Sequence, residues 1–226
     1  AECNECPFHD YCTAKLPEDN ISTIHGIGAK EAYQLINQGI ITAQDYVANG
    51  YSFPHKRKQK QLEAMIKDTG VYVDFIALKG FLNQITYPLY HLDFETMNEG
   101  IPPCDNAHPF EQIPFQYSLH VENAKGKDYF HKEFLGNQLD SRRELAVQLC
   151  SDIPFGAMSI AFNASFERGV LTALSELFPD LKSHLLSIRD HMIDLELPFA
   201  NAYYYDPKQG GSNSIKYVMP ALCPHM

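Results

Sequence analysis

The sequence predicts an α/β fold, with a mixed sheet flanked by helices, preceded by a small helical region and a cysteine-rich N-terminal segment. Three observations carry this. Residues 84–226 alternate between strand-like and helix-like runs in the order strand, strand, strand, helix, strand, helix. Residues 17–83 show helical runs ended by Gly39, Gly50 and Gly70, and residues 1–16 hold three of the six cysteines. At 226 residues, a prior of about 150 residues per domain leaves room for one full domain and something smaller.

The elements follow in order. Ala29–Asn37, Thr42–Ala48 and Lys58–Asp68 read as helices. Pro88–Glu95, Phe115–Glu122 and Asp128–Phe134 read as strands, the last two joined by the turn-forming Asn123-Ala124-Lys125-Gly126-Lys127. Ser141 with Glu144 three residues later is a capping-box pattern, opening a helix to about Ser151 that should bury Ala146, Leu149, Cys150 and Ile153. Ala157–Phe162 is strand-like, and Phe166, Val170, Leu174 and Leu177 then follow helical spacing. Further helices are expected near Ser183–Arg189 and Ser214–Ala221. Between Thr96 and Pro114 four prolines and no periodicity mark a long loop, a class that often carries function.

Composition excludes several classes. Apolar residues at 45% and charged residues at 20% describe a globular chain. No apolar run reaches the ~18 residues of a membrane span, and AECNEC lacks the basic-then-apolar order of a secretory leader, so a cytoplasmic location with no membrane partner is expected. The net charge of -10 argues against a binder held mainly by phosphate neutralisation. That charge is uneven, with -2 over residues 1–70 and -8 over residues 71–226.

Within Leu89-Tyr90-His91-Leu92-Asp93-Phe94-Glu95-Thr96, residues two apart share a strand face, so Asp93 and Glu95 point the same way and Leu92 and Phe94 the other. Paired carboxylates on an apolar strand are costly unless a cation or protons intervene, and a solvated edge strand is the structural alternative. Hard dications such as Mg²⁺ accept such ligands. Ser159-Ile160-Ala161-Phe162-Asn163-Ala164-Ser165-Phe166-Glu167 runs from strand into helix and places Glu167 in a first turn, where the helix dipole alone could also favour it. Asn163 stands at the junction as a cap, a turn residue or a substrate contact. Asp194, in His191-Met192-Ile193-Asp194-Leu195, is an acid in apolar company and is expected to be capped, paired or near a metal.

In combination these segments resemble the DnaQ-like, or DEDD, superfamily of 3′-to-5′ exonucleases, which has a ribonuclease H-like fold. HLDFET, IPFQYSLHVE, FNASFERGVL and GSNSIKYVMPAL are more closely similar to a bacterial family of unknown function in which such a domain follows a RecB-like nuclease domain. The resemblance implies two-metal hydrolysis of DNA or RNA phosphodiesters with Mg²⁺ or Mn²⁺. Asp93 and Glu95 match the first motif. Glu167 stands where the exonucleases usually carry Asp, its longer side chain setting the oxygens one bond further out. Asp194 matches a frequent later acid. The third motif is absent before Met226, which implies a longer parent protein with the RecB-like domain upstream. A catalytically silent module of the same fold, binding nucleic acid or acting as a scaffold, is the alternative.

Cys3, Cys6 and Cys12, with His9 between, have metal-ligand spacing suited to Zn²⁺, and they resemble three cysteines of the iron-sulfur clasp of RecB-like nucleases. Reduced thiols are the alternative. Ile24-His25-Gly26-Ile27-Gly28 before a helix resembles the hairpin of helix-hairpin-helix modules. Gly26 and Gly28 would admit a phosphate, and Lys56, Arg57 and Lys58 would add charge, unless the basic run is simply a solvated helix start.

Overall fold

The computed structural model describes residue 11 and residues 14–17, 19–67, 70–105 and 107–225. The chain divides into two units, one of residues 1–79 with 198–226, the other of residues 80–197.

In the first unit, α1 (Ala29–Asn37) turns Ala32 and Leu35 inward, and α2 (Ala43–Ala48) starts at a capping box between Thr42 and Asp45. α3 (Lys56–Lys67) buries Leu62 against Ile21, Ile24, Ile40 and Tyr46. Its polar side also turns inward: Arg57 donates to the Gly211 carbonyl, and Gln61 Nε2 donates to the Gly210 carbonyl at 3.1 Å. β1 (Tyr72–Val73) pairs antiparallel with Tyr204–Tyr205. The segment from residue 198 onward, expected to belong with residues 84–197, therefore packs with the N-terminal helices. α4 (Phe75–Leu82), within a span expected to be helical, follows β1.

In the second unit, a five-stranded mixed sheet has helices packed on it. β2 (Leu89–Met97), β3 (Ile113–Ala124) and β4 (Lys127–Leu135) form an antiparallel meander, extending the three expected strands by one or two residues at every end but the start of β2. α5 (Arg142–Asp152) leads to β5 (Met158–Ala161), α6 (Ser165–Leu177) and α7 (Lys182–Asp190), and then to β6 (Met192–Asp194). The strand order is β4-β3-β2-β5-β6, with β5 parallel to both β2 and β6. Tyr90, Leu92 and Phe94 of β2 meet Leu145 and Leu149 of α5 and Leu171 and Leu174 of α6 in one core. Sheet and helices bury their apolar faces on each other, as two-layer packing requires.

One local expectation is corrected. Ser141 is the residue before α5 but makes no capping bond; its hydroxyl faces Gln138 instead, and Asp140 accepts from the Arg142 N–H at 3.2 Å. An acid two residues upstream satisfies the helix end that the Ser–Glu box was expected to satisfy. Beyond α7, α8 (Leu197–Ala200) and β7, the Tyr204–Tyr205 strand above, lead to α9 (Ile215–Leu222), close to the expected Ser214–Ala221. Among the described residues no helix is long and apolar enough to cross a membrane.

Candidate functional site

β2 carries its first two acids as the alternation predicts: Leu92 and Phe94 are buried, while Asp93 and Glu95 are exposed. The strand then bulges between Glu95 and Thr96, where its pairing with β3 shifts register. On the other side, His91 pairs with Ile160 of β5, and Ala161 with Asp194 of β6. Asp93, two residues past His91, is thus brought to the carboxyl ends of β5 and β6. The connection from β2 goes to β3 on one side, while β5 lies on the other, so the strand order reverses here. In open α/β sheets that reversal, at the strands' carboxyl ends, is where ligands bind.

The turn from β5 into α6 is tightly specified. Asn163 adopts a left-handed backbone with φ of 63°, which asparagine tolerates better than most residues. Its N–H donates to Asp194 Oδ1 at 3.1 Å, and the Ser165 hydroxyl donates to its Oδ1 at 2.7 Å. The same Asp194 oxygen accepts from the Glu196 N–H at 2.9 Å. Of the three fates expected for Asp194, capping is the one observed. Asn163 is a turn residue whose side chain engages Ser165.

Glu167, on the first turn of α6, is only 4% exposed, and its Oε2 has no hydrogen-bond partner. Burial pushes this carboxyl up to about 7. Its own backbone N–H pulls the other way, and the charges of Asp93 and Asp194 raise it further. Those two acids therefore lie close enough to act on Glu167 through a poorly screened medium, although all three are far apart in sequence. A buried, orphaned carboxylate oxygen beside two more acids is a costly arrangement that either a proton or a cation relieves. The oxygen donors suit a hard dication. Among the described residues no three histidine, cysteine or acidic side chains already converge on one point. The fit of a metal thus rests on the unpaired Glu167 oxygen and the mutual repulsion of the acids.

Other expected site residues are placed differently. Arg57 is buried and committed to Gly211, so it is withdrawn from any phosphate; burial of its guanidinium was not visible in a run of basic residues. Lys56 pairs with Asp74 at 2.9 Å. Lys58 stretches over Gly26, where an added Cβ would fall 2.2 Å from its Nζ. Gly26 needs its positive φ of 97°, whereas Gly28 has an ordinary backbone and caps α1. Cys3, Cys6, His9 and Cys12 lie outside the described residues. Cys150 packs against the core as expected, its thiol pushed up to about 11 by burial. His184 and His191 bond to the carbonyls of Ile153 and Ser187, both at 2.8 Å, consistent with packing roles.

The long loop spans residues 98–112 between β2 and β3 and is tied to itself: Asn98 donates to the Phe110 carbonyl at 2.7 Å, and the Phe110 N–H to that of Glu99 at 2.9 Å. With α6 it borders a cleft of about 320 Å³ lined by Glu111, Gln112, Phe166, Gly169 and Ala173. Sequence reasoning did not identify β6, because three residues are too few to show a period.

A family described as "Domain of unknown function (DUF2779)" matches residues 90–214, which contain every acid of this site. No curated protein and no solved structure matches the chain.

Proposed function

The chain belongs to the DUF2779 family, and from that premise we propose that it is a metal-dependent nuclease with a ribonuclease H-like, DnaQ-like domain that hydrolyses phosphodiester bonds of DNA or RNA. The observation that carries this reading is the buried Glu167 carboxyl at the sheet's reversal point, with one oxygen unpartnered and its proton affinity raised by burial and then by the charges of Asp93 and Asp194. The three-strand meander followed by helix, strand, two helices and strand, in which only β3 runs against the others, supports the fold assignment.

Asp93, Glu95 and Glu167 are the residues that would hold Mg²⁺ or Mn²⁺, with Asp194 next. When bound, such cations activate a water and stabilise the leaving oxygen of the phosphodiester. The chain's own contribution is placement. Asp194 fixes the turn at Asn163, that turn sets the start of α6, and α6 presents Glu167 to the strand ends. Without a cation Glu167 is about half protonated near neutrality, which relieves part of the repulsion among the acids. Asn163 and the 98–112 loop flank this position and are its substrate contacts in this reading. Gly26, Gly28 and Lys58 remain the proposed nucleic-acid contacts of the helical unit. Cys3, Cys6 and Cys12 are assigned to a zinc or iron-sulfur clasp shared with an upstream RecB-like domain.

In an end-labelled assay with Mn²⁺, the full-length parent protein should trim single-stranded DNA or RNA, with the 226-residue chain alone weak or inactive, and Asp93→Ala in the parent should reduce the rate at least 100-fold. Unchanged trimming by the variant would remove Asp93 from the chemistry. Glu167, where the exonucleases usually carry Asp, favours a second reading, a silent module of the same fold. Strand binding without cleavage by the parent chain would establish it.

A further inference from the structure

The open face of the meander carries a pattern with no part in the carboxylate site. In the sheet register His91 lies opposite His120, and His120 opposite His131, so three imidazoles form a row across β2, β3 and β4. His91 is engaged by Glu122, at 3.3 Å. The other two face each other: the His120 and His131 rings are 4.4 Å apart, tilted by 41°. Both are exposed, and Glu133 Oε2 lies 3.2 Å from His131 Nε2.

We propose that His120 and His131 form a binding site for a borderline divalent transition metal of the Zn²⁺ class, with the Glu133 carboxylate adjacent as a third ligand. Zinc–imidazole bonds of about 2.0–2.1 Å place two ligating nitrogens roughly 3.3 Å apart on a tetrahedral ion. Rings with centroids 4.4 Å apart reach that spacing by side-chain rotation alone. Glu133 needs only to exchange its bond to His131 for the ion, because the two already touch. Imidazole donors select zinc, copper or nickel over Mg²⁺ and Mn²⁺, so this site and the all-oxygen site differ in the ion they take. The surrounding field favours a cation as well. By strand alternation Asp93, Glu95, Glu122 and Glu133 share this face, against Lys127 beside the hairpin turn.

The site is tested by Zn²⁺ uptake from a chromophoric indicator, using the full chain with Cys3, Cys6 and Cys12 replaced by serine and millimolar Mg²⁺ present. One equivalent should bind, and His120→Gln and His131→Gln should each weaken binding at least tenfold, while His55→Gln, at an exposed position elsewhere, leaves it unchanged. Circular dichroism of each variant checks that the hairpin is intact. Failure of the parent to take up zinc, or equal uptake by a folded His120→Gln or His131→Gln chain, would overturn the proposal. Neither result bears on the nuclease reading, which concerns other residues and another class of cation.

Discussion

Glu167 is the residue on which local chemistry and function meet. Its folded carboxyl, near 7, stands above its ordinary value of 4.5 because burial disfavours the charge and two acids repel it. Below about pH 4.5 folded and unfolded chains both keep the proton, and the group contributes nothing. As pH rises from 4.5 to 7 the unfolded chain releases it first, so stability falls, and above 7 the full penalty, about 3 kcal/mol, is present. Glu167→Gln should therefore match the parent near pH 4 and exceed it by about that amount at pH 8, in denaturant melts with a chelator. A difference independent of pH would mean that the carboxyl is not perturbed. The sequence showed that Glu167 sat on a first turn and that Phe166 was the start of an apolar stripe. It could not show the orphaned oxygen, because burial of Glu167 depends on elements distant in the chain.

At the scale of elements, the β5–α6 junction is set by a single left-handed residue. Asn163→Ala should cost about 1–2 kcal/mol, combining backbone strain with the lost acceptor for Ser165. Asn163→Gly should cost less, because glycine accepts the conformation. Thermal melts of the two variants give the order directly, and equal stability would show that the conformation is not a constraint. Elements with a strong period were legible from sequence: Ala29–Asn37 is helical over the span expected, and β2 alternates as its residues predict. Those set by long-range contact were not. The two-residue strands Tyr72–Val73 and Tyr204–Tyr205 and the three-residue β6 are too short to carry a pattern. Ser141 and Glu144 had the spacing of a capping box, but Asp140 took the role because it could reach both the Arg142 N–H and its guanidinium.

For the whole molecule, the α/β class and the shared face of Asp93 and Glu95 could be read because each depends on local order along the chain. The packing of residues 198–226 with the N-terminal helices could not. It rests on Arg57 and Gln61 gripping Gly211 and Gly210, two polar side chains that resemble surface residues in a basic run. The same grip explains why Arg57 is lost as a phosphate contact. His120 and His131 each lie five residues from the Lys125–Gly126 turn, a symmetry that becomes informative only once the hairpin register is known.

In the proposed function Asp93 and Glu95 of β2 and Glu167 of α6, with Asp194 of β6 next, hold a hard divalent cation. Calorimetric titration of Mn²⁺ into the full chain at pH 7.5, repeated with Asp93→Asn and Glu167→Gln, tests it most directly. Saturable binding that each substitution weakens at least tenfold is expected, since either one removes a carboxylate donor. Identical isotherms for the parent and both variants would contradict it.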